Sequence, residues 1–158
     1  MKLRIGQGFD IHKTKAGDTV ILGGVKIPAE FSLEGHSDAD VLLHAVTDSL
    51  LGAVSENDIG YHFPPGKIEN KNRESKDFLL FAYNKIKAMG YRILNIDTNI
   101  ICEKPQITPY KEKICQNIAS LLNLEISQVS VKATTSEKLG FTGREEGIVS
   151  TAIVLLSA

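Results

Sequence analysis

Hydrophobic periodicity switches repeatedly along the chain between two residues and three to four. Residues 3–12, LRIGQGFDIH, alternate: Leu3, Ile5, Gln7, Phe9 and Ile11 share one strand face, and Arg4, Gly6, Gly8, Asp10 and His12 the other. TVILGGVKIP predicts two short strands joined at Gly23-Gly24. From Ser37 to about Val54 the period becomes helical, with Ser37 or Asp38 as the N-cap. A second helix is expected over 74–89, where Phe78, Ala82 and Ile86 repeat at four beside Leu79 and Met89 and Gly90 ends the run. YRILNIDTNIIC returns to alternation, with Leu94, Ile96, Thr98, Ile100 and Cys102 on one face. A third helix runs from about Thr108 to Asn123 on a stripe of Tyr110, Ile114, Ile118, Leu121 and Leu122, and QVSVKATT and GIVSTAIVLLS follow as strands. Interleaving of this kind predicts an α/β (α+β) sandwich, a mixed sheet covered on one face by helices, in a single domain over 1–158. If its strands are parallel, the unit from Tyr91 to Thr134 crosses over right-handedly. SENDIGYHFPPGKIENKN has no period and reads as a long mobile loop.

Composition narrows the partners. The formal net charge is -1 and there is no basic run, which argues against nucleic acid. No apolar stretch is long enough to span a membrane, and MKLRIGQGFD lacks the apolar region of a signal peptide. Cys102 and Cys115 have no C-x-x-C spacing and read as reduced thiols of a cytoplasmic protein.

All four histidines fall within the first 62 residues. Asp10 and His12, two apart on a strand, leave the sheet on the same side and can give a metal two ligands. His44 can supply the third, leaving one position open. Asp40, His44 and Asp48 are spaced i, i+4, i+8, so either carboxylate can hold the free ring nitrogen of His44. The plain alternative is a solvated strand edge and helix face. His36 and Ser37 precede the first helix, where unpaired N–H groups favour an anion; equally, Ser37 simply caps the helix. ATTSEKLGFTGREEG places hydroxyls at Thr134, Thr135 and Ser136 and a carboxylate at Glu137, suited to phosphate oxygens and a hard cation. Its alternative is a glycine-rich turn with Thr134 to Glu137 as a capping box; it is not a Walker A loop.

Taken in order, RIGQGFDIH, GGVKIP, GHSDADVLLHAVTDSLLGA, DIGYHFP and VKATTSEKLGFTGREEGI closely resemble the 2-C-methyl-D-erythritol 2,4-cyclodiphosphate synthase family, essentially end to end. The resemblance implies a homotrimer of α/β subunits with active sites between neighbours. It implies zinc on Asp10, His12 and His44, a second divalent cation (magnesium or manganese) on Glu137, and His36 and Thr135 flanking the phosphates as catalytic residues. The implied substrate is a cytidine diphosphate ester whose 2-phosphate attacks the β-phosphorus, closing a cyclic diphosphate and releasing CMP. Ser37, Asp58, Ile59, Gly60 and Phe63 would meet the phosphates and sugar alcohol. Cys102, Lys104, Pro105, Ile107, Thr108, Thr134 and Ser136 would hold the nucleotide from the adjacent subunit. Phe141, Arg144 and Glu146 match residues lining an axial cavity that can take an isoprenoid diphosphate, or else an Arg–Glu pair securing the interface. Gln7, Gln106 and Pro65 depart from the usual histidine, lysine and aspartate. A zinc-dependent phosphoester hydrolase, a non-catalytic metal-binding trimer and a metal-free phosphate module are the competing readings.

Overall fold

The computed structural model describes residues 2–35, 37–67, 70 and 73–158. In chain order the elements are β1 (Leu3–Lys15), β2 (Thr19–Leu22), β3 (Val25–Pro28), β4 (Ser32–Leu33), α1 (Val41–Ala53), α2 (Ile59–His62), α3 (Ser75–Ala88), β5 (Arg92–Ile101), α4 (Lys111–Leu122), β6 (Val129–Thr134), α5 (Gly140–Gly143) and β7 (Gly147–Ser157). Five strands form one sheet in the order β4-β1-β7-β5-β6, and β2–β3 stands apart as a hairpin. Within the sheet β5 and β6 run parallel, joined through α4, while the other pairs are antiparallel. The expected mixed sheet with helices is therefore present. Among the described residues no helix is long and apolar enough to cross a membrane.

Two glycines decide which side of β1 is covered. A Cβ at Gly6 would lie 1.8 Å from the Ser49 carbonyl oxygen, and one at Gly8 1.8 Å from that of Ala45. The α1 backbone thus rests directly on the strand, and this contact sets the depth of the core. Leu42, Leu43, Leu50 and Leu51 of α1 are fully buried with Leu79, Ile86, Ile96, Ile100, Ile114 and Ile118. The apolar side of β1 points the other way: Leu3, Ile5, Phe9 and Ile11 are 51%, 71%, 54% and 43% exposed, and Ile153 of β7 adds 51%.

Several local expectations are corrected. The N-cap of α1 is Asp40, not Ser37 or Asp38. Its carboxylate accepts from Leu43 N, while Ala39 ahead of it has a left-handed φ of 50° that breaks the helical path. The loop after Ser55 contains α2, capped when Asp58 accepts from Tyr61 N. In β5 a register shift between Ile93 and Asn95 makes Leu94 the extra residue, so Ile93 is buried in its place. Gly23 and Gly24 have φ of 59° and 76°, as a tight hairpin turn requires. The third helix opens as a 3-10 turn over Thr108–Tyr110 before α4 proper.

Candidate active site

The first strand and first helix bring Asp10, His12 and His44 together. His12 Nε2 and His44 Nδ1 each lie close to Asp10 Oδ2, at 3.0 and 3.1 Å, and 3.2 Å from one another. The three atoms form a nearly equilateral triangle. Tetrahedral zinc with bonds of about 2.0–2.1 Å has ligand–ligand edges of about 3.3–3.4 Å. The cradle is within a few tenths of an ångström of that face.

The outer hydrogen bonds determine what the triangle offers. His12 Nδ1 lies 2.8 Å from the Glu34 carbonyl oxygen, which can only accept, so neutral His12 presents a lone pair at Nε2. His44 Nε2 lies 2.9 Å from Ser75 Oγ, whose own hydrogen goes to Asp38 Oδ1. Ser75 therefore accepts from His44, and Nδ1 of that ring also presents a lone pair. Two lone pairs and a carboxylate oxygen face one another, an arrangement that repels unless a cation lies among them. The residues fit a metal ion.

The same centre can hold a proton in place of a metal ion. In that state burial raises the Asp10 carboxyl, but hydrogen bonds from His12 and His44 outweigh it and hold the group at about 2. Burial lowers His12, yet its bond to Asp10 and that to the Glu34 carbonyl leave it raised. A proton and a metal ion compete for one place.

Neither the Asp40 nor the Asp48 carboxylate hydrogen-bonds the His44 ring, which corrects the expected support. Asp40 is fully buried and accepts from Gly23 N (2.9 Å), Gly24 N (2.6 Å) and Leu43 N (3.0 Å), pinning the hairpin to the start of α1. Burial raises it to about 6 despite these donors. Asp48 accepts from Ile59 N at 2.9 Å and fixes the start of α2. Support for His44 comes instead from Ser75 and Asp38. Asp38 also accepts from Ser75 N, capping α3 from outside its own segment, since Glu74 makes no side-chain cap bond. A serine thirty-one residues from the histidine it orients carries no local sequence signal.

A cavity of about 530 Å³ opens beside the cradle, lined by His12, His44, Ser37, Ile59, Gly60 and Phe63 of the expected residues, together with Arg73, Ser75 and Phe78. Asp58 caps the adjoining α2 turn. His36 lies outside the described residues. The remaining group does not line this cavity. Thr134 ends β6 and Thr135, Ser136 and Glu137 follow it, while residues 102–108 follow β5 beside them. Glu103, which the motifs did not single out, ties the two segments: its carboxylate accepts from Ser136 N (3.2 Å), Ser136 Oγ (3.4 Å) and Lys138 N (3.0 Å). Thr135 Oγ1 accepts from Glu137 N, with Glu137 and Lys138 both at left-handed φ. Cys102 and Ile107 are buried, so only their backbone is offered to a ligand, and burial pushes the Cys102 thiol up to about 11. Lys104 pairs with Glu30 at 3.0 Å, Pro105 follows a cis peptide bond, and Thr108 opens the 3-10 turn. Arg144 and Glu146 form a two-point surface ion pair at 3.0 and 3.2 Å, near the 40%-exposed Phe141.

A mixed sheet clad on one side and an Asp–His–His cradle beside a cavity define an α/β enzyme fold with a place for a divalent cation. The match to known proteins is continuous over that whole architecture. The chain belongs to the YgbB family, whose model matches residues 3–157. The 2-C-methyl-D-erythritol 2,4-cyclodiphosphate synthase of Listeria monocytogenes is 53% identical over 154 residues, 98% of each chain. A Plasmodium falciparum IspF solved as a CDP complex superposes with a TM-score of 0.86 at 42% identity, over 98% of this chain and 95% of that one. The bifunctional IspDF of Campylobacter jejuni gives 0.94 at 39% identity; this chain matches over 98% of its length and spans 42% of that longer protein.

Proposed function

We propose that this chain is the cyclising enzyme of non-mevalonate isoprenoid biosynthesis, as its relatives are named. It converts 4-diphosphocytidyl-2-C-methyl-D-erythritol 2-phosphate to 2-C-methyl-D-erythritol 2,4-cyclodiphosphate and CMP. The carrying observation is the triangle of three acceptor atoms on Asp10, His12 and His44, whose two histidines line a cavity, in a chain that matches cyclodiphosphate synthases end to end.

An oxygen of the 2-phosphate attacks the β-phosphorus, the bond from that phosphorus to the bridging oxygen breaks, and CMP leaves with the electron pair. The nucleophile is largely ionised at neutral pH, since the second phosphate pKa is about 6. The residues therefore need to position two anions and neutralise them, more than to move a proton. Zinc held by Asp10, His12 and His44 would supply Lewis-acid polarisation of the diphosphate, and Glu137 would hold a second cation, Mg2+ or Mn2+. Ser37, with His36, would donate to the phosphates. Ile59, Gly60 and Phe63 would enclose the sugar alcohol. Thr135 and its neighbours would fix the phosphate nearest the cytidine.

The assembly we infer is a homotrimer with each site shared between neighbours. Two observations support it: the uncovered apolar side of β1 and β7, and the separation of the 102–108 and 134–137 segments from the cavity that holds the cradle. The whole chain serves as one domain in this reading. Phe141, Arg144 and Glu146 would then face the axis, where an isoprenoid diphosphate could reach them.

The test is product analysis in isotopically labelled water with zinc and magnesium present. Cyclisation yields CMP and a cyclic diphosphate with no label incorporated. A linear, labelled phosphate product would replace this reading with a hydrolase.

A further inference from the structure

Arg73 reaches the cavity from the segment just ahead of α3, outside every motif that carries the family resemblance. Its guanidinium carbon stands 5.1 Å from the centroid of the Phe63 ring, within cation–π range, and Phe63 in turn packs on Phe78 with ring centroids 4.7 Å apart. The stack holds the planar fork in one orientation. Its Nε is buried and has no hydrogen-bond partner among the described residues. A buried donor on a charged group, left without an acceptor, carries a desolvation cost that calls for an explanation. The lining supplies no counter-charge: among the described residues it includes Lys67 and Arg73 and no carboxylate.

We propose that Arg73 is an anion clamp that grips the phosphate monoester on the substrate's sugar alcohol. This rests on the cyclase reading, which places the diphosphate at the Asp10–His12–His44 cradle. The metal takes that end of the ligand, and the sugar alcohol lies against Ile59, Gly60 and Phe63. The anion that remains, the 2-phosphate, falls on the Phe63 side of the cavity where Arg73 stands. A guanidinium matches two phosphate oxygens at once, which fixes direction as well as distance. Arg73 is thus a positioning residue for the nucleophile and discriminates substrates that carry the second phosphate from those that lack it.

The experiment compares wild type, Arg73→Met and Arg73→Lys, each zinc-loaded. Two ligands are used: the 2-phosphorylated substrate and its counterpart without the 2-phosphate. Calorimetric binding with the second metal withheld and steady-state kinetics with it present give two readouts. Arg73→Met should weaken binding of the phosphorylated ligand and raise its KM by about 10- to 100-fold, as loss of a charge-assisted bond implies. The ligand without the 2-phosphate should bind all three proteins alike, with Arg73→Lys intermediate for the phosphorylated one and zinc content unchanged. Equal weakening for both ligands, or no weakening for either, overturns the clamp. Failure of the cyclase reading shows separately, as a wild-type protein that forms no cyclic diphosphate, because the binding comparison does not depend on turnover.

Discussion

His44 Nε2 donates to Ser75 Oγ across 2.9 Å, and the hydrogen of that hydroxyl passes on to Asp38. The bond fixes the tautomer that turns the Nδ1 lone pair towards Asp10 and His12, and it attaches the first turn of α3 to the cradle. Removing the hydroxyl frees the ring to rotate and to carry its hydrogen on the wrong nitrogen. Ser75→Ala should lower zinc affinity by roughly 10- to 100-fold, the usual effect of losing a partner one shell out from a metal. Competition with a chromophoric chelator measures this, and Ser75→Thr should recover part of it. An unchanged affinity in Ser75→Ala would remove the relay from the account.

The titrating groups of the cradle give opposite signs with and without metal. His12 is raised above its ordinary value, so in the metal-free protein its contribution to stability is complete below about 6.5 and is lost as pH rises through the folded value. Asp10 is depressed to about 2, so its contribution is present above its ordinary 3.8 and lost only as pH falls through about 2. Zinc needs the proton gone from His12. Between pH 6 and 8 the metal-free Tm should therefore fall while the rise in Tm on adding zinc grows. Calorimetric scans at matched ionic strength give both, and a zinc-induced shift that shrinks with rising pH would contradict the competition.

Gly8 can accept no side chain, because the Ala45 carbonyl already occupies the place of its Cβ. Gly8→Ala must push α1 off the sheet or bend β1, and should cost more than about 3 kcal/mol in overpacking and lost burial. Gly52 is the contrast. Its nearest neighbour would be 3.8 Å away, and it lies on the exposed side of α1. Gly52→Ala should stabilise by about 0.5–1 kcal/mol through helix propensity. Urea unfolding of both variants checks the pair.

The bare side of β1 and β7 predicts association. Ile5 and Ile153 are 71% and 51% exposed on it. Replacing Ile5 with Asp puts a charge where apolar neighbours should meet, so sedimentation should show a shift from trimer to monomer. Zinc affinity should persist, since the cradle belongs to one chain, and turnover should be lost. A monomeric wild type would refute the assembly.

How much of this could be read from sequence varies with the length scale of the signal. Asp10 and His12 are readable because a two-residue step on a strand fixes their direction, and β7 because its apolar run is long. The buried side of β1 is not readable from alternation alone. The pattern separates two faces without ranking them, and small residues at Gly6 and Gly8 win the core because a helix backbone needs the room. Leu94 is misplaced by the same rule, since one extra residue in a bulge reverses alternation at that point without changing composition. Asp40 and Asp48 look like partners of His44 by helical spacing, yet backbone donors from the hairpin and from α2 claim their oxygens first. Ser75, Asp38, Glu103 and Arg73 act across distances in sequence that no local period reports.

The two histidines of the cradle line one cavity, and the segments at 102–108 and 134–137 lie elsewhere on the same chain. In a trimer of shared sites this has a genetic meaning. A His44→Ala chain would still lend its nucleotide-binding half to a neighbour, and a Thr135→Ala chain would still lend its metal-binding half. Either alone would be inactive, but mixed in one cell they would rebuild an intact site wherever unlike chains meet in the right order. Two defective alleles would complement each other, which a site contained within one subunit could not allow.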